Sequence, residues 1–421
     1  MFNQKKINIK LKNVMLLFFL ISFACCDLSF FDTGVNIYGY NGNHKLIKIP
    51  VPEGGITFPI GFYDDDTAFV SKAFYIGETE VTMSMYFTVA KWAQENRGYK
   101  NLIINFDELR NNPVNPPVIV NYPEYARNYA YNSINTNSGS LKGNFPINGI
   151  PFTGIIVWCN AYTEWYNNKY KTNYEPVYTD NNGDPIKNAL IPYLPYSPSL
   201  NFTPLPCITN WFDPAYETLH KYLNEDNGFE KYLYNVSTTG NGFRLPTANE
   251  WELAARWNGS NPENTVNKTI NNIDFSSQSI KFIKGNSASG AKTYIFDEDE
   301  LSKVAVFLFN SRDGKAFITD PTPDGYYHSL RPIKTKRKNA LGLYDMSGSV
   351  REIVYNVVFI EINRLDIWGR RTGEKVLWPF AQSRGGSFRD ADDTLSVGHW
   401  QYVDATAYND FYGFRIARCS Y

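Results

Sequence analysis

Three aspartates fall within four positions, Asp390, Asp392 and Asp393. Carboxylates at that spacing can gather around a hard cation or share acid–base work, and a solvated loop is the plainer alternative. Immediately downstream His399, Trp400, Tyr402, Tyr408, Phe411 and Tyr412 concentrate rings in one short stretch. Tyr and Trp offer large contact areas at low entropic cost, the chemistry of a recognition surface. A core role is the alternative for each ring taken singly. Elsewhere the chemistry thins out. His44, His220, His328 and His399 are scattered, with no HExxH, so a histidine-based zinc or iron site is not expected. Gly285-Asn286-Ser287-Ala288-Ser289-Gly290 lacks the spacing of a nucleophile elbow. Asp180-Asn181-Asn182-Gly183-Asp184 is similar to a calcium loop without its closing Glu, so a plain turn is expected there. No phosphate-cradling glycine loop occurs.

The five cysteines divide by place. Lys5, Lys6, Lys10 and Lys12 precede an apolar run from Val14 to Ala24, the pattern of a secretory signal over residues 1–24. The run is too short for a bilayer, which takes about 20 residues. It ends Ser22-Phe23-Ala24-Cys25-Cys26, which is similar to a relaxed bacterial lipobox. Cys25, with Cys26 as the alternative, is the expected lipidation site. A multiply acylated cysteine holds a membrane stably without a spanning helix. Residues 25–45 then serve as a tether, and the expected location is the cell envelope, with simple secretion or a periplasmic location as the alternative. Cys159, Cys207 and Cys419 remain, enough for at most one disulfide and one free thiol.

The 421 residues carry 41 basic and 42 acidic side chains, a formal net charge of −1. That balance excludes a nucleic-acid partner, which requires a net basic face. A hydrophobic share of 43% excludes an acidic disordered chain. The partners to expect are the membrane, through the lipid, and an extracytoplasmic protein or small-molecule ligand. An aromatic share of 16% stands out and fits either a ring-rich core or a ring-rich surface.

Three amphipathic helices must position these groups. The first starts at Thr82 as N-cap and sets Tyr86, Val89, Ala90 and Ala93 on one face. The second aligns Trp158, Ala161, Tyr162 and Trp165. In the third, Thr247-Ala248-Asn249-Glu250 is a capping box, with Trp251, Ala254 and Ala255 as its stripe. Between them, insertions near 105–150, 168–240 and 258–335 are rich in Asn, Tyr and Pro, and their aromatics predict ordered irregular loops. The basic cluster Lys334, Lys336, Arg337 and Lys338 reads as a solvated turn.

Five segments in order carry a family resemblance. They are Ile47 to Gly55; Glu78-Thr79-Glu80-Val81-Thr82; Phe243 to Arg256, containing Arg-Leu-Pro-Thr and Glu-Trp-Glu; Asn339 to Gly348; and Arg384-Gly385-Gly386-Ser387-Phe388 with Gly413-Phe414-Arg415. Together they resemble the formylglycine-generating enzyme, or sulfatase-modifying-factor, family over residues 46–421. The resemblance implies an α+β fold: a single irregular formylglycine-generating-enzyme-like (C-type-lectin-like) domain with short strands, a few helices and long loops. It also suggests buried ion pairs among Arg244, Glu250, Glu252 and Arg256.

The aerobic members of that family hold copper with two cysteines between the Gly-Gly-Ser and Gly-Phe-Arg segments. Here Phe388 to Tyr412 contains no Cys, and soft thiolates are what select Cu(I). A copper oxidase is therefore not expected, and the related sulfoxide synthases' histidine triad has no counterpart. The family's calcium-associated segment is altered: Ser349 stands for Asn, and Arg351 and Ile353 stand for two Trp. Glu352 remains, so a structural calcium stays open, with Asp390, Asp392, Asp393 and Glu352 as the candidate metal ligands. The expectation is a binding module on an enzyme scaffold. The alternative is a formylglycine-generating-enzyme-like oxidoreductase or another metal-dependent enzyme on the same scaffold.

Overall fold

The computed structural model describes residues 40, 42, 44–100, 102, 144–180, 182–189, 240–311, 330–365, 371–405 and 411–420, with the side chains of 361–365, 371–378 and 392 excepted. They belong to one unit, Tyr38–Tyr421; Met1–Ile37 forms another, outside the described residues together with Cys25. Most of the tether and of the first two insertions, and Cys207, lie outside them too. Among the described residues no helix is long and apolar enough to cross a membrane.

Two four-stranded sheets organise the unit. In the first, β1 (Leu46–Ile49) and the last strand, β12 (Ala417–Cys419), both pair antiparallel with β4 (Phe74–Gly77). Strand β5 (Phe243–Arg244) completes the order β1-β4-β12-β5. The second runs β10-β9-β8-β11, from a long antiparallel ribbon of β8 (Arg351–Leu365) and β9 (Arg371–Arg384). It is flanked by β10 (Trp400–Asp404) and a short parallel strand, β11 (Tyr412–Gly413). Two small hairpins, β2–β3 (Ile56–Ile60, Asp66–Val70) and β6–β7 (Thr269–Ile270, Ile273–Asp274), lie apart from both sheets.

All three predicted helices form. Helix α1 (Met83–Asn96) is capped by Thr82, whose hydroxyl accepts from the Met85 amide at 3.3 Å. Helix α2 (Phe152–Tyr170) buries Trp158, Ala161, Tyr162 and Trp165. Its rings stack in series: Tyr86 on Trp158 at 5.6 Å, Trp158 on Tyr162 at 5.2 Å, Tyr162 on Trp165 at 5.7 Å. Stacked pairs of this kind contribute roughly 0.5–1.5 kcal/mol beyond area burial. Helix α3 (Ala248–Arg256) carries both halves of the capping box and points Trp251, Ala254 and Ala255 into the main core.

The third insertion is ordered across its described part, 258–311. It holds a short helix, α4 (Glu298–Val304), and a satellite core of Ala288, Ile295, Leu301, Val304 and Phe307 against Leu395. The predicted Asp180 loop is a turn: its carboxylate accepts from the amides of Asn182 and Asp184 at 2.9 and 3.0 Å.

The basic cluster goes beyond expectation. Lys334 is paired to Glu78, Arg337 to Glu300, and Lys336 donates to the Ser302 carbonyl at 2.7 Å. The turn is solvated, with Lys334 and Lys338 exposed, but three of its four cations also bond within the molecule, so it clasps two earlier segments as well. The sequence shows the charges but not Glu78 and Glu300, which lie far away along the chain.

Candidate functional site

The expected ion pairs at α3 are present and extended. Arg244 meets Glu250 through two bonds of 2.7 Å. Arg256, fully buried, reaches Glu252 at 2.8–2.9 Å and also Asp64 at 2.5 Å. Glu252 further faces Arg384 at 2.8 Å. These buried charges are tolerated because each has a partner. Two glycines let the surrounding loops close. A Cβ on Gly285 would lie 1.9 Å from the Gly61 carbonyl oxygen, and one on Gly398 2.4 Å from the same atom. Gly398 also donates to the Gly285 carbonyl at 2.9 Å. That three-way approach sets the chain entering His399 and Trp400.

The segment 387–412 follows a turn in which Gly385 and Gly386 take positive φ, and a Cβ on Gly385 would sit 2.8 Å from the Met346 carbonyl oxygen. Asp390 then closes the loop. Its Oδ2 accepts from the Ser387 amide at 2.8 Å, from the Ser387 hydroxyl at 2.7 Å and from Arg351 Nε at 2.6 Å, while Oδ1 takes the other arm of Arg351. A bidentate Arg–carboxylate pair of this kind is a strong fixed contact. Asp390 is thus a structural clamp. Asp393 is exposed, and the side chain of Asp392 lies outside the described residues.

Glu352 departs furthest from the metal-ligand expectation. Its Oε2 accepts from Arg415 Nε at 2.6 Å and from the Trp251 indole at 2.8 Å, and its Oε1 from Arg415 at 2.5 Å. Both oxygens are spent inside the core, and a calcium ligand needs lone pairs facing a shared centre. Among the described residues, no three His, Cys, Asp or Glu groups are placed to hold a metal ion.

The rings sort by burial. Trp400 and Tyr402 are 44% and 38% exposed and meet edge to face at 5.0 Å. They stand two apart on β10 and so share a face. Tyr412 is buried on the edge strand β11, strand-paired to Arg351, and is not part of an open surface. Phe411 is half-buried, with the Arg351 guanidinium 5.0 Å from its ring centroid. His399 is half-buried too; desolvation lowers its pKa, with Asp393 pulling the other way. Tyr408 lies outside the described residues.

The chemistry this leaves is contact chemistry. Asp390 and Glu352 have their lone pairs engaged, and among the described residues of this segment the large rings left exposed are Trp400 and Tyr402, with the Asp393 carboxylate exposed before them. Copper does not fit. The interval has no thiol, Cys419 lies 3.7 Å from Arg244, and Cys159 sits inside α2, where burial pushes its thiol pKa up. Cys159 and Cys419 are both free thiols.

Around Arg415 lies a polar cluster that no motif announces. Glu80, fully buried, has neither carboxyl oxygen hydrogen-bonded. Burial, reinforced by Asp345, raises its pKa well above the ordinary value. Asp345 is raised to about 6, chiefly by burial, and accepts from the Lys334 amide at 2.8 Å. His44 is lowered to about 4 by burial, with Arg415 and Lys334 adding to the shift. Glu80 stood in view in Glu-Val-Thr, but its burial has no local signal.

The model of the sulfatase-modifying factor enzyme 1-like domain matches residues 51–420. The chain belongs to this family. A curated relative from Paenibacillus barcinonensis, named chaperone protein LppX, is 25% identical over 207 residues, 48% of this chain. The chain covers 58% of that relative's length. Among solved structures, Treponema denticola variable protein 1 is 20% identical with a TM-score of 0.46, covering 89% of this chain and 95% of that one. CarF is 19% identical with a TM-score of 0.49, over 90% and 99%. PvdO from Pseudomonas aeruginosa is 13% identical with a TM-score of 0.39, over 89% and 94%. The mixed fold of few helices and many short strands is that of the sulfatase-modifying-factor family, as the motifs implied.

Proposed function

We propose that this sulfatase-modifying-factor-like domain is a binding module, exported and held at the cell envelope by lipid on Cys25, and that it recognises its ligand at β10. The carrying observation is the exposed Trp400–Tyr402 pair in an interval without cysteine. Large exposed rings beside a fixed loop suit recognition. The engaged state of Asp390 and Glu352 gives a metal-dependent reaction at those residues no support. The name of the Paenibacillus relative adds one version of this reading, a polypeptide as the ligand.

A photo-crosslinking residue at position 402 tests the site in intact envelopes. A discrete adduct from 402, absent when the same residue replaces the exposed Tyr294, is the expected result. Equal labelling from both positions refutes it. Conversion of a sulfatase-type cysteine peptide to formylglycine by protein loaded with Cu(I) would overturn the non-oxidase reading. Mass spectrometry of the mature N-terminus should find acylated Cys25, and an unmodified start at Asp27 removes the anchor.

A further inference from the structure

Among the described residues, strand β10 is the outermost strand of its sheet, paired with β9 on one side and with no strand on the other. Its register sets Trp400 opposite Arg384, Tyr402 opposite Gln382 and Asp404 opposite Phe380. One step beyond, the Ala405 amide donates to the Pro379 carbonyl at 3.1 Å. Opposed residues in an antiparallel ladder alternate between hydrogen-bonded and non-hydrogen-bonded pairs. Hence the 405, 403 and 401 positions bond toward β9, and the Ser383 hydroxyl reaching the Gln401 carbonyl at 3.5 Å agrees. The main-chain N–H and C=O of Trp400 and Tyr402 therefore face away from the sheet.

Proteins blunt such edges with Lys, Pro or a bulge. Strand β10 reads Trp-Gln-Tyr-Val-Asp and pairs without a register shift, so none of the three is present. By the same alternation Asp404 also faces outward, and the other two residues with outward amides are the two whose rings are exposed. A small ring-binding ligand would use the rings alone. Donors and acceptors repeating every second residue match the backbone of an extended polypeptide, and alternate side chains supply specificity.

Resting on the binding reading above, the geometry points to strand addition: an extended segment of another polypeptide pairs with the free edge of β10 and sets apolar side chains, two residues apart, against Trp400 and Tyr402. Aromatic and β-branched residues are the favoured cross-strand neighbours of such rings.

Hydrogen exchange at residue resolution on the full chain tests this, with an acetylated octapeptide of alternating Thr and Val as probe. Saturating peptide should slow exchange of the Trp400 and Tyr402 amides by about tenfold and leave Gln401 and Val403 unchanged. The same peptide N-methylated at alternate residues should have no effect. Unchanged exchange at 400 and 402 overturns strand addition. Slowing that appears with protein concentration alone assigns the edge to a second copy and overturns it as well. Should the 402 crosslink form and depend on Trp400 while these amides stay fast, the surface reading stands and strand addition falls.

Discussion

Arg415 and Glu352 face each other in the core with two hydrogen bonds, Nε to Oε2 at 2.6 Å and a terminal nitrogen to Oε1 at 2.5 Å. One comes from the Gly-Phe-Arg segment and the other from the start of β8, so the pair fastens the approach to β12 to the second sheet. The same guanidinium donates to the carbonyls of Gly77 at 2.9 Å and Tyr344 at 3.0 Å.

Breaking that pair from one side leaves a buried charge without compensation, which costs roughly 3–5 kcal/mol. Glu352→Gln should lower unfolding stability by that order in urea titration. Arg415→Met with Glu352→Leu should recover part of the loss. Equal stability of Glu352→Gln and the wild-type chain would show that the pair is not needed to hold the core.

The buried acids give stability a pH dependence of definite sign. Asp345 is raised from 3.8 to about 6, so across that window the folded state binds the proton and the unfolded state has released it. Stability therefore falls as pH rises from about 4 to about 6, and Glu80, raised by burial, contributes with the same sign. His44, lowered from 6.5 to about 4, works oppositely, and its contribution grows as pH rises through that window. The wild-type profile should thus be partly flattened. Asp345→Asn removes the acid limb, so its stability relative to wild type should improve between pH 4 and pH 6 by on the order of 2–3 kcal/mol. A constant difference across that range contradicts the assignment.

Trp400 and Trp251 separate surface from core. Trp400→Ala and Tyr402→Ala should each change stability by no more than about 0.5 kcal/mol. Trp251→Ala opens a cavity in the main core and removes the indole bond to Glu352, at a cost of about 3–5 kcal/mol. Chemical denaturation of the three variants reads the contrast directly.

Gly285 has no room for a side chain. Gly285→Ala places a methyl against the Gly61 carbonyl and, if it folds, should cost about 1–3 kcal/mol. It should also change Trp400 fluorescence, read against a Trp400→Phe background. Gly259→Asn is the control, since its Cβ would meet nothing within 4 Å and Asn tolerates the left-handed φ of +59° there.

Much of this architecture is legible in the chain because it rests on local chemistry. Thr82 and Thr247 announce helix starts through caps that act within three residues, and the Trp158 and Trp251 faces follow from helical spacing. The Arg244–Glu250 and Arg256–Glu252 pairs fall within one helix and its approach. What the chain conceals is long-range pairing. Asp64 on Arg256, Glu78 on Lys334, Arg351 on Asp390 and Arg415 on Glu352 join residues separated by loops of unpredictable course. The partners of Asp390 and Glu352 were hidden for the same reason: an acidic residue looks the same in sequence whether it faces solvent, a metal or an arginine.

The place of β12 between β4 and β5 bears on the order in which the chain can fold. Synthesis delivers β4 and β5 well before Ala417, and until that strand arrives neither has its shared neighbour. Arg415 and Phe414 arrive with it, so the buried acids near Gly77 wait for their counter-charge. The first sheet is thus completed only once Ala417–Cys419 has been made, so its closure is a late event in folding.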